Sequence, residues 1–240
     1  MNDDANKKPK ELAIPGFHAF MEKFIIAQFG ENYKGKVLDA GAGQGAFSQR
    51  LMNHGYNIAA CDLDDAHFTL KDIEFKQANI ADSIPWEDGS FDLILALELT
   101  EHVDGVMGFF EEINRVLTPG GFLIFTTPNI LSLKSRIQFL LSGFFYSFKP
   151  ISETQIDAAA DHITPLTLDL YDYRLRQCGL SIKDISTDKI QRSSTGWLLM
   201  YPLIKLYSLL KYKNNPAAQR QNSMNCLLGR KLIVLAQKTG

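Results

Sequence analysis

The 240-residue sequence is short of cysteine, of any excess of charge, and of long apolar runs. Cys61, Cys178 and Cys226 lie far apart without paired spacing, which excludes a disulfide framework and a zinc knuckle and suggests reduced thiols. Lys and Arg number 25 against 27 Asp and Glu, so no global positive field exists to hold nucleic acid. No apolar stretch reaches the roughly 20 residues that a bilayer demands. The greasiest, 196–213, is broken by Pro202 and Lys205. The polar opening, Met1–Lys10, has no apolar centre and is expected to be a disordered tail rather than a secretory signal. Repeats and low-complexity tracts are missing too. What these absences leave is one domain over 11–240, in the cytoplasm, with room for a substantial core.

The informative segment is V-L-D-A-G-A-G-Q-G-A-F, Val37 to Phe47. It joins a short apolar strand to an acid, a glycine run, and a helix with an apolar face through Phe47, Leu51 and Met52. Glycines at 41, 43 and 45, with Ala42 between, allow a sharp turn and close approach to a ligand. Gly41, Gly43 and Ala46 loosely satisfy a dinucleotide pattern. Asp39 argues against it, because a carboxylate there would repel a pyrophosphate. The same acid would attract a ligand that ends in an ammonium and carries no phosphate.

Apolar runs at 36–40, 57–61, 73–78, 91–97 and 121–127 alternate with helical stretches, one of them Phe17 to Phe29, which ends at Gly30. That alternation predicts an α/β fold: a doubly wound, mainly parallel sheet with helices on both faces. Asp104-Gly105 opens a helix that Pro119-Gly120-Gly121 stops. Thr164-Pro165 reads as a helix N-cap and first position, with the helix running to Cys178. Strands at 180–187 and 231–237 follow.

In such a sheet, ligands sit beyond the carboxyl ends of the strands. Asp62, closing the second strand, is placed to accept hydrogen bonds from ribose hydroxyls, or else is one solvated acid among several. Asn79, closing the third, can accept from an adenine amino group or close an Asx-turn. The D-x-G-x-G-x-G of Asp39–Gly45, with I-P-W-E-D-G-S-F-D-L-I-L-A-L-E-L-T-E-H-V (Ile84–Val103) and R-V-L-T-P-G-G-F-L-I-F-T-T-P-N (Arg115–Asn129), resembles class I S-adenosylmethionine-dependent methyltransferases. The resemblance lies with their small-molecule branch. It covers roughly residues 36 to 129 and implies a seven-stranded Rossmann-like sheet with an antiparallel last strand. It also implies S-adenosylmethionine as cofactor, its methionine end over Gly41–Gly45, its ribose at Asp62, and its adenine among Leu63, Asn79 and Ile80, with Leu97 nearby. The chain departs from the family in having Asn79 for the usual Asp and a short connection from Leu63 to Asp72.

Glu98, Glu101 and His102 form E-x-x-E-H after the fourth strand, facing the expected acceptor. The spacing is similar to that of ubiquinone-biosynthesis O-methyltransferases, where it implies a bound divalent ion, magnesium or manganese. Three roles stay open: a metal set of all three, His102 with Glu101 as an acid–base or orienting pair, and a structural corner. His162 either closes over the acceptor or caps the core.

The 128–163 stretch is expected to form a helical lid, carrying Leu140, Leu141, Phe144 and Phe145 with Lys134, Arg136 and Lys149 around them. The 196–213 segment is expected to be a helix buried against the sheet or a partner copy, or else one lying at a membrane surface. Together these predict a small or lipid-linked acceptor and peripheral membrane contact, and the resemblance of E-x-x-E-H to O-methylating relatives implies transfer to oxygen. Two rivals are a nicotinamide-dependent oxidoreductase and a catalytically silent cofactor-binding assembly partner. Asp39 and the lack of a recognisable Tyr/Lys pair count against the first, and the intact motifs against the second.

Overall fold

The computed structural model describes residues 9–154 and 161–240. The expected tail therefore falls almost wholly outside the described residues, as does part of the expected lid.

Seven strands form one sheet: β1 (Lys36–Ala40), β2 (Asn57–Asp62), β3 (Glu74–Gln77), β4 (Phe91–Ala96), β5 (Leu117–Pro128), β6 (Leu180–Thr187) and β7 (Lys231–Lys238). Their order is β3-β2-β1-β4-β5-β7-β6, with β7 antiparallel to both neighbours and the other pairings parallel. The order reverses between β1 and β4, which opens a crevice at their carboxyl ends. The site lies there.

Period-two alternation splits each central strand between two cores. Leu38, Ala40, Ile94, Ala96, Phe125 and Val234 face one side. There they meet α3 (Val106–Val116) and α5 (Leu168–Gln177) through Phe110, Ile113 and Tyr171. Val37, Leu93, Leu95, Ile124 and Ile233 face the other. They meet Phe17, Met21 and Ile25 of α1 (Phe17–Phe29) and Phe47 and Leu51 of α2 (Ala46–Met52). Burial on both faces is why these strands read as unbroken apolar runs.

Three expectations need correcting. β5 begins at Leu117, not 121: Leu117 pairs with Phe91 and the next pair is Leu93 with Phe122, so Thr118–Gly121 bulges out. The N-cap of α5 is Thr167, whose side chain accepts from the Leu170 N–H. Thr164 is occupied elsewhere, its hydroxyl donating to the Val103 carbonyl at 2.7 Å and its N–H to the Glu101 carbonyl at 3.1 Å. The 196–213 segment does not bury itself against the sheet. It forms a 3-10 turn, Leu198–Met200, and α7 (Tyr201–Tyr212), most of whose residues are exposed.

Within the 128–163 stretch lies α4 (Leu133–Ser142), capped by Ser132 and ended by Gly143 in a left-handed turn. Leu140, Leu141 and Phe144 are exposed, whereas Phe145 packs on the core and stacks on Phe139 at 4.3 Å. Three further short helices lie among the described residues: α6 (Arg192–Thr195), α8 (Pro216–Gln221) and α9 (Met224–Leu228). No described helix is long and apolar enough to cross a membrane.

Candidate functional site

The glycine corner is drawn tight by its own backbone. Gly41 and Ala42 donate to the Cys61 carbonyl at 2.9 and 3.1 Å, and Gly45 donates to Ala42 at 2.9 Å. All three glycines sit at positive φ, where a side chain strains the backbone. Space is equally limiting: a Cβ on Gly41 would meet Leu99 at 2.9 Å, and one on Gly45 would meet Leu70 at 2.9 Å and Phe68 at 3.0 Å.

Two carboxylates frame this corner. Asp62 Oδ2 accepts from the Gly43 N–H at 2.8 Å, and Oδ1 accepts from the Asp64 N–H at 3.3 Å. Asp39 is buried and accepts from the Ser48 hydroxyl at 2.6 Å. Burial, with a smaller push from the neighbouring Asp62, raises the Asp39 carboxyl to about 6. Two acids this close are hostile to a pyrophosphate and suited to an ammonium. The residues present therefore fit a ligand with a cationic amino acid end and a ribose.

The Asp39 shift has a measurable consequence. Its folded pKa lies above the unfolded one, so the fold holds the proton more tightly between pH 4 and about 6. Stability is full below that window and is lost as pH rises through it, by about 3 kcal/mol in total. Asp39→Asn is expected to abolish this slope, as urea titrations at pH 4.5 and 7 would read. An unchanged slope would mean that Asp39 is not the group responsible.

Beyond the ends of β2 and β3, Leu63 is exposed and joined to β3 by Gln77, whose amide donates to the Leu63 carbonyl at 2.9 Å. Asn79 forms an Asx-turn: Oδ1 accepts from Ala81 N–H at 3.2 Å and Nδ2 donates to Asp82 at 2.7 Å. Ile80 is buried in one core and Leu97 packs against the other.

The E-x-x-E-H run divides into two clusters. Glu98 adopts a left-handed φ of 55°, a rare and costly conformation for a residue with a β-carbon. It is held there by Thr126 at 2.9 and 3.1 Å and by the buried Lys231 ammonium. A lysine buried at the start of β7 needs a counter-charge, and Glu98 supplies it. Lys231 is a site residue that the sequence reading passed over. The available signal was a cation heading an otherwise apolar strand.

Glu101 and His102 turn the other way, towards His162. Glu101 is 1% exposed, and its Oε2 is buried without a hydrogen-bond partner. Burial raises its carboxyl to about 8, so it carries a proton at neutral pH. His102 Nδ1 lies 3.0 Å from the Asp161 carbonyl and His162 Nδ1 lies 2.7 Å from the Ser147 carbonyl. A carbonyl only accepts, so both rings donate from Nδ1 and present Nε2 as an acceptor. The rings meet edge to face at 4.8 Å. Glu101, His102 and His162 can each offer one atom within 4.8 Å of the others, a set that could hold a metal ion.

Comparison with known proteins points to methyltransferases. A methyltransferase-domain family profile matches residues 38–125. A ubiquinone biosynthesis O-methyltransferase of Psychrobacter cryohalolentis is 27% identical over 145 residues, 56% of this chain and 55% of its own. A probable S-adenosylmethionine-dependent methyltransferase of Mycobacterium tuberculosis is 30% identical over 149 residues, 60% of this chain and 51% of its own. The chain thus spans about half the length of these curated relatives. The structure of an S-adenosylmethionine-dependent methyltransferase from Archaeoglobus fulgidus superposes with a TM-score of 0.59 at 17% identity, covering 92% of each chain.

Proposed function

The chain carries a class I S-adenosylmethionine-dependent methyltransferase domain, and from that premise we propose that it methylates an oxygen of a small or lipid-linked acceptor. The cofactor implied by the family supplies a methyl group already activated on a sulfonium. The glycine corner and Asp39 orient the methionine end, and Asp62 accepts from the ribose. His102 takes the acceptor's hydroxyl proton on Nε2, in the tautomer that the Asp161 carbonyl dictates. Leu99, against Gly41, keeps water from the transfer path. The observation that carries this reading is the pairing of a basic imidazole at the end of β4 with an acid-framed glycine turn. Alignment and deprotonation are what an activated methyl still requires.

The unpartnered Glu101 Oε2 favours a second reading. In it Glu101, His102 and His162 would together hold magnesium or, better matched to two imidazoles, manganese, which would supply a Lewis acid beside the acceptor hydroxyl. Glu98, committed to Lys231, stays outside that set.

Calorimetry and turnover separate the readings. S-adenosylmethionine and S-adenosylhomocysteine should bind, and NAD and NADP should not. Chelator should leave turnover intact if His102 works alone, and abolish it, with rescue by manganese, if the ion is real. Tight NADP binding would sink the methyl-transfer reading. Cofactor binding with no acceptor ever methylated would point to an assembly partner.

A further inference from the structure

The helix α7 is built inside out. Its inward face is Tyr201, Ile204 and Ser208: Tyr201 and Ile204 pack near Leu133, Leu227 and Leu228, and the Ser208 hydroxyl meets Asn222 at 3.4 Å. Leu199, just ahead of the helix, and Leu203, Leu206 and Leu210 fall on one stripe at steps of four, three and four. All four are exposed, by 76, 64, 54 and 74%. Tyr207 and Leu209 flank them, also exposed. A helix packed on a water-soluble domain turns its leucines inward. This one offers them outward.

Charge says what covers them. From Lys189 to Gly240 there are nine Lys and Arg and no acid, whereas the first 188 residues hold all 27 Asp and Glu against sixteen Lys and Arg. Several of the nine are spoken for: Arg220 pairs with Asp172, Arg230 with Asp188, Lys231 with Glu98, and Lys238 donates to two carbonyls. Among the described residues, Lys205, Lys211 and Lys213 form no ion pair with an acid, and Asp169 lines the same cleft as Arg136 and Tyr212. A second copy of this surface would set lysines against lysines. An anionic bilayer complements both the leucines and the charge. Twelve residues at about 1.5 Å each are too short to span a bilayer, so such a helix lies along the surface.

We propose that α7 is an interfacial anchor that lays its leucine stripe into an anionic membrane surface, with Lys205, Lys211 and Lys213 at the headgroups. The anchor does not depend on the reaction assigned above.

The test is sedimentation of the full chain with vesicles of phosphatidylcholine, with and without phosphatidylglycerol. Partitioning should favour the anionic vesicles by about tenfold or more and weaken as salt rises. The triple change Leu203→Ser, Leu206→Ser, Leu210→Ser should abolish sedimentation. Replacing Lys205, Lys211 and Lys213 by Gln should lower it by about 10²-fold, at about fivefold per lysine. Both variants alter side chains that are exposed or, for Lys205, half-buried, and should keep the wild-type melting temperature and S-adenosylhomocysteine affinity. If the leucine variant fails to fold, the lysine variant still decides. Wild-type protein that stays in the supernatant, or binds neutral and anionic vesicles alike, overturns the proposal. So does light scattering that shows a dimer which the leucine variant dissolves. Loss of cofactor binding by the wild type would count against the methyltransferase reading and leave the anchor standing.

Discussion

His102→Ala is expected to lower kcat by about 10²–10³-fold, the usual worth of a placed acid–base group. S-adenosylhomocysteine affinity should hold within about twofold of wild type, because the described contacts of the imidazole are with Asp161 and His162. A melting curve is needed beside the kinetics, since the change also removes the His102–Asp161 hydrogen bond and the edge-to-face partner of His162. Stable, fully active protein would take the imidazole out of the mechanism.

Asp62→Ala should raise the dissociation constant for S-adenosylhomocysteine by about 10²-fold. Hydrogen bonds to an ionised acceptor contribute about 1.5–3 kcal/mol each, and the Gly43 N–H also loses its partner. Asp62→Asn should fall between the two, because its remaining oxygen can still accept from Gly43 but no longer carries charge. Calorimetry reads both. An alanine variant with unaltered affinity would reduce Asp62 to a loop brace with no ribose to hold.

The strands were legible because each interior one is buried on both faces and so announces itself as an apolar run between turn residues. The glycine corner was legible for a different reason: three glycines and an acid at that spacing meet steric and electrostatic demands that few other residues satisfy. The start of α5 was misplaced because Thr164-Pro165 satisfies local capping rules, while the tertiary contacts of Thr164 with Glu101 and Val103 take the same groups. The division of Glu98 from Glu101 and His102 was invisible for a similar reason. Spacing alone puts all three after one strand, and only the arrival of Lys231, 133 positions further along, turns Glu98 aside. The exposure of α7 could not be read either, since an apolar helix looks the same on paper whether its leucines face a core or the outside.

The place of β7 between β5 and β6 bears on how the protein is made. β7 leaves the ribosome after every other described strand, yet it occupies an interior position and pairs with Phe122–Pro128 of β5 and with nearly all of β6. Until it emerges, Phe122 to Thr127 present an open edge with apolar side chains, the kind of template that recruits strands from neighbouring nascent chains. A message truncated before Lys231 would thus yield an aggregation hazard instead of a weakened enzyme. Its half-buried Glu98 would have no cation to meet, and its β6 would have no neighbour to join.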